Sequence, residues 1–173
     1  MLYYSIKEAL KLSDDITVVL FHQAQRVQEQ MEKYFTNINF VIQDHLNYPG
    51  TGGAVMGITP KYEKVLVLNG DMPLIQASEL EKFDIDATIV MSVLKLESAD
   101  GYGRVIIENG NVKKIVEQKD ATIEELKITT ANAGIYQFET KFLLENLPKL
   151  NNNNAQKEYY ITDLVEMAIN QGK

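Results

Sequence analysis

Apolar and polar positions change period several times along the chain. Leu2, Ile6, Ala9 and Leu10 share one face of a helix over Met1–Leu12, with Lys7, Glu8 and Lys11 away from it. Ile16–Phe21 is a continuous β-favouring run and reads as a buried strand. Gln23–Phe35 has helical spacing, with Val27, Met31, Tyr34 and Phe35 facing inward, and Ile38–Ile42 reads as the next strand. A helix over Thr51–Ile58, a strand over Val65–Leu68, a short helix over Ala77–Phe83 and a strand over Thr88–Leu96 continue the alternation. Such alternation predicts βαβ units around a mainly parallel sheet.

The pattern then changes. Asp100-Gly101-Tyr102-Gly103-Arg104 breaks it, and Val105–Glu108 and Asn111–Glu117 flank Asn109-Gly110. Asn-Gly between two apolar runs predicts a hairpin, here as a lobe beside the main domain. A helical turn follows over Thr122–Leu126, then a strand over Thr129–Phe138 interrupted by Asn132-Ala133-Gly134. Asn and Gly inside a strand weaken it and mark close approach by a ligand or another backbone. Lys141–Leu147 and Glu158–Ile169 read as helices, separated by the polar run Asn151–Asn154. No repeat or low-complexity linker divides the sequence, which predicts one α/β domain with a hairpin lobe.

Two stretches carry candidate chemistry. Val65–Leu68 runs into Asn69-Gly70-Asp71-Met72-Pro73-Leu74, which reads as a buried parallel strand whose carboxyl end presents one carboxylate. Ligands sit at that end of strands in open α/β sheets, where Asp71 can hold Mg²⁺ or simply form an Asx turn. Pro49-Gly50-Thr51-Gly52-Gly53-Ala54 allows a tight turn, with Thr51 as a candidate N-cap for the next helix. It lacks the Lys-Ser/Thr ending of a Walker A loop. The charged run Glu117-Gln118-Lys119-Asp120 reads by default as a solvated face.

Composition narrows the classes. Net charge is −7, with no Lys/Arg-rich block, which argues against binding nucleic acid through its backbone. Cysteine is absent and histidine is limited to His22 and His45, so thiol catalysis, zinc–thiolate sites and histidine-rich metal sites are excluded. No apolar run reaches membrane-spanning length, which gives a cytoplasmic default.

Taken in order, six segments resemble one family: Pro49–Ala54, Asn69–Leu74, Gly101–Arg104, Glu117–Ala121, Asn132–Gly134, and Asn151–Asp163 ending in Glu-Tyr-Tyr-Ile-Thr-Asp. The family is the uridylyltransferase domain of bacterial bifunctional N-acetylglucosamine-1-phosphate uridylyltransferase/glucosamine-1-phosphate acetyltransferases. The resemblance implies a Rossmann-like nucleotide-diphospho-sugar transferase fold and Mg²⁺-dependent uridylyl transfer. UTP and N-acetylglucosamine 1-phosphate would give UDP-N-acetylglucosamine and pyrophosphate for cell-wall precursors. It assigns Gly50 and Thr51 to the uracil, with Gln43 or His45 beside them. Asn69 and Gly70 would line the nucleotide, and Asp71 would bind Mg²⁺. Gly103, Glu117 and Asn132 would hold the sugar, with Tyr160 and Thr162 lining the sugar-phosphate side.

The family's first strand and its Leu-x-Ala-Gly-x-Gly-Thr-Arg-Met loop are not in this sequence. Neither is its acetyltransferase domain, through which full-length members form homotrimers. The resemblance therefore implies a partial domain over 1–173, with negligible turnover and one neighbour too few for the strand at Ile16–Phe21. Two alternatives stay open: a non-catalytic sugar-nucleotide-binding fragment, and a nucleotidyltransferase for another sugar phosphate.

Overall fold

The computed structural model describes residues 1–173, and the strands gather in two sheets. β1 (Thr17–Leu20) and β2 (Asn39–Ile42) pair in parallel, joined by helix α2 (Ala24–Met31), the βαβ unit that the alternation predicts. Val18 and Leu20 of β1 pack with Ile6 of α1 (Leu2–Ala9), and Val27, Met31 and Phe35 close this small core. Ile16 and Leu20 carbonyls accept from Asn39 and Gln43 N–H at 2.8 Å, which turns the backbone of Thr17 and Val19 the other way. No strand pairs with that edge, so β1 has β2 as its one neighbour.

The second sheet has the order β3 (Lys64–Val67), β7 (Thr130–Glu139), β5 (Arg104–Glu108), β6 (Asn111–Val116), with β4 (Ile89–Lys95) also on β7. All its pairings are antiparallel. The α/β class holds, while parallel pairing is confined to β1–β2. The strand read as buried and parallel, β3, is half-buried and antiparallel. Its direction is set by its neighbour: the C-terminal half of β7 runs between β3 and β4, opposite to both. The Asn109-Gly110 hairpin forms as expected, with φ of 51° and 79°, but it extends this sheet at β5.

Helices α5 (Thr140–Asn146) and α6 (Asp163–Asn170) cover the sheet and bury Phe142, Leu143 and Leu164 against Val105 and Phe138. Asn146, buried among them, donates Nδ2 to the Phe142 carbonyl at 2.8 Å and accepts from Gln171 at 2.9 Å. α1 links the two sheets: Ser5 donates to the Met72 carbonyl at 3.2 Å, and Glu8 accepts from Ala77 N–H at 2.9 Å. That Glu8 contact opens α4 (Ala77–Leu80).

Several helices are shorter than their sequence patterns: α1 stops at Ala9 rather than 12, α2 spans Ala24–Met31 rather than 23–35, and two more differences fall at the glycine loop and its partner segment. α3 spans Gly50–Ala54 rather than 51–58, and α6 begins at Asp163 rather than Glu158. For α6 the cause lies in the glycine loop. Tyr159 donates its N–H to the Pro49 carbonyl at 2.8 Å and accepts Gly52 N–H at 2.7 Å, so its backbone serves the glycine loop instead of a helix. No helix is long and apolar enough to cross a membrane.

Candidate active site

The glycine loop is held from two sides. Gln43, at the exit of β2, donates Nε2 to the carbonyls of Tyr48 at 2.9 Å and Gly50 at 3.0 Å. Its Oε1 accepts from no protein group. His45 lies apart, its ring stacked on Phe21 with centroids 4.1 Å apart, so Gln43 is the side chain that touches this loop. Thr51 does not cap α3, whose N-cap is Pro49. Its Oγ1 instead accepts Ile161 N–H at 3.1 Å, tying the loop to the segment before α6.

That segment carries the next residues. Asn154 brackets Glu158, accepting its N–H at 3.1 Å and donating to its carbonyl at 2.6 Å. Tyr160 donates its hydroxyl to Asp120 at 3.0 Å, and Asp120 also accepts Ala155 N–H at 2.8 Å. Thr162 donates to Glu117 Oε1 at 3.0 Å. The charged run 117–120 is thus engaged at both ends by the 154–162 segment, which its composition gave no reason to expect. Asp120 and Gln156, which donates to the Tyr160 hydroxyl at 3.0 Å, are site-framing residues that sequence reasoning missed. Both lie inside segments that carry the family resemblance, Glu117–Ala121 and Asn151–Asp163, where no role was assigned to them.

The chain of contacts continues into the large sheet. A Cβ built on Gly103 would come 3.3 Å from Glu117 Oε2, and the Gly103 carbonyl accepts Asn132 N–H at 2.8 Å. Asn132 Oδ1 accepts Gly134 N–H at 3.0 Å, and the Asn69 amide packs where a Gly134 side chain would stand. Gln43, Gly50, Thr51, Asn69, Gly103, Glu117, Asn132, Tyr160 and Thr162 therefore line one connected region. Gly70 sits beside Leu2, and Asp71 is exposed, with no hydrogen bond or ion pair of its own.

This region is acidic. Burial pushes the Glu117 carboxyl above the usual range, with Asp120 and Glu158 adding to the shift and the Thr162 hydroxyl opposing it. Burial also raises Asp163 to about 6, helped by Glu166, Glu117 and Asp120. A carboxyl whose folded-state pKa is raised costs stability: the cost builds as pH rises from the ordinary carboxylate range to about 6 and is fully present above it. Asp163→Asn should therefore be more stable than the parent at pH 7.5 and equal to it near pH 4. After allowance for solvent screening of this partly buried group the gain is about 1 kcal/mol, or about 2–4 °C in Tm. Thermal melts of both chains across that pH range check it.

The whole chain, residues 1–173, matches the nucleotidyl transferase family. It belongs to that family. The bifunctional protein GlmU of Aliarcobacter butzleri (strain RM4018) is 89% identical over 173 residues, covering 100% of this chain and 40% of that protein. The bifunctional protein GlmU of Wolinella succinogenes is 62% identical over 169 residues, covering 97% of this chain and 39% of that protein. The chain thus spans about 40% of the length of the curated relatives it matches. Among solved structures, the inositol-1-phosphate CTP transferase from T. maritima superposes with a TM-score of 0.72 at 13% identity, covering 99% of this chain and 69% of that one. The fold is that of sugar-nucleotide transferases, and the family resemblance read from the six motifs holds.

Proposed function

We propose that this chain binds a uridine diphospho-sugar and serves uridylyl transfer from UTP to N-acetylglucosamine 1-phosphate, yielding UDP-N-acetylglucosamine and pyrophosphate in the cytoplasm for cell-wall precursors. The observation that carries the reading is the connected set from Gln43 through Thr162, Glu117 and Gly103 to Asn132. It offers a glycine loop for a flat base at one end and a half-buried carboxylate for sugar groups at the other. Its relatives' name, bifunctional protein GlmU, supports the same reading.

In the transfer, an oxygen of the sugar phosphate attacks the α-phosphorus of UTP and pyrophosphate leaves. No covalent bond to the protein is needed, so residues contribute by positioning and by electrostatics. Gln43 fixes Gly50 and keeps Oε1 to accept the base N–H. Glu117 accepts hydrogen bonds from the sugar, its ionised form held by Thr162. Asp71, exposed and unpaired, would hold Mg²⁺ through its one carboxylate, with phosphate oxygens and water supplying the remaining ligands. Mg²⁺ there would offset the charge of the phosphates.

Thermal shift with Mg²⁺ and UDP-N-acetylglucosamine, against UDP-glucose, tests the reading. At a hundredfold the dissociation constant, a ligand that binds only the folded chain stabilises it by about 2.7 kcal/mol. A shift favouring the N-acetyl sugar is expected, and Asp71→Asn should lose only its Mg²⁺-dependent part. Absence of any shift at millimolar nucleotide would overturn the proposal.

A further inference from the structure

β7 is bulged where it faces the sugar end of the site. Met91 pairs with Tyr136 and Val93 with Asn132, so residues 133–135 stand opposite Ser92 alone. Two extra residues therefore draw Asn132 and Tyr136 to the spacing that β4 covers in two steps, about 7 Å, with both side chains on one face. Gly134 makes the turn at φ +75°. Ser92 Oγ fastens it by accepting Ile135 N–H at 3.3 Å.

Tyr136 is 2% exposed, yet its hydroxyl has no hydrogen-bond partner. The polar groups that act on it are the Asn132 amide and the Glu117 carboxylate, neither in hydrogen-bonding geometry. Buried hydroxyls in folded proteins are almost always paired, so this one calls for a partner that no protein group supplies. The other buried polar atom in this condition, Arg104 Nε, has a different setting. Its guanidinium already spans the Tyr102 carbonyl at 2.5 Å and Gln118 at 2.7 Å, a staple between two loops.

We propose that the Tyr136 hydroxyl is a specificity-determining contact of the sugar pocket, donating a hydrogen bond to the acyl oxygen of an N-acylated sugar. The inference rests on the function proposed above and deepens it. An acylamino group brings one N–H and one carbonyl. Glu117 is built to accept the first, and the Tyr136 O–H is the unspent donor on the same face for the second. A 2-hydroxyl sugar satisfies Glu117 and leaves Tyr136 unpaired, which is how a site built to hydrogen-bond one group rejects a ligand that lacks it.

Tyr136→Phe removes one oxygen and keeps the ring. The full chain and this variant are titrated with UDP-N-acetylglucosamine and with UDP-glucose, and both are melted without ligand. The expected result is an affinity about tenfold lower for the N-acetyl nucleotide, UDP-glucose binding within about twofold of the parent, and no loss of Tm. Equal losses for both nucleotides, an unchanged preference, or a lower Tm with unchanged preference would make Tyr136 a packing residue and overturn the inference. Binding of neither nucleotide by the parent chain would instead overturn the function on which it rests. The two failures are therefore distinct.

Discussion

Gly53→Ala is expected to destabilise the chain by about 3 kcal/mol and to lower Tm by about 6–12 °C. Helix propensity alone points the other way, since alanine in α3 should gain about 1 kcal/mol over glycine. Local crowding decides. A Cβ on Gly53 would overlap the carbonyl carbon and oxygen of Tyr48 and press its Cβ at 3.1 Å. The obstacle is backbone, and it is held. Tyr48 N–H bonds the Asp44 carbonyl at 2.8 Å, its carbonyl takes Gln43 Nε2 at 2.9 Å, and its ring tilts against Tyr159 at 5.7 Å. Relief requires breaking the Gln43 clamp or moving α3. Moving α3 pulls Gly52 from the Tyr159 carbonyl and loosens the 158–162 segment that supplies Thr162. Chemical denaturation measures the loss. A gain in stability would show that Tyr48 can yield at little cost.

The same residues show which features a sequence displays and which it hides. Asn109-Gly110 reveals its turn because both positions take positive φ, a property of those two residues alone. The interruption at Asn132-Ala133-Gly134 reads as a weakened strand approached closely by another group; that it is a bulge shows only in the pairing with β4. Strand direction is different. The run 65–68 looks the same whether its neighbour runs with it or against it, and the neighbour, β7, lies some seventy residues away in sequence. The start of α6 is hidden for a related reason: Tyr159 and Tyr160 fit a helical pattern, but the Pro49 and Gly52 backbone claims the first and Asp120 the second. Within the candidate site, the family motifs point to Glu117, Asn132 and Thr162, and the structure sets them in one connected region. Asp120 lies in the same motif as Glu117 but carries no assigned role there, because a carboxylate in a charged run shows its partners only when the distant segment arrives.

Glu117→Gln should separate stability from binding more sharply than any other substitution in the site. Glutamine keeps the size of the side chain and an oxygen to accept the Thr162 hydroxyl, so the 3.0 Å bond survives. It removes a charge that burial disfavours and that Asp120 and Glu158 repel. Because the folded-state pKa of Glu117 is raised, the parent carries its penalty when pH lies above that value and sheds it as pH falls toward the usual carboxylate range. The variant should therefore melt higher than the parent at pH 7.5, and the difference should shrink on acidification. Sugar recognition should move the opposite way. A hydrogen bond from a ligand group to a carboxylate contributes about 1.5–3 kcal/mol, so its weakening should cost about 10- to 100-fold in affinity for UDP-N-acetylglucosamine at the same pH. A raised Tm with weakened binding is the pattern of a strained group retained for a ligand. If instead the variant binds as tightly as the parent, Glu117 is a half-buried structural acid and the sugar end of the site must be sought elsewhere on β7.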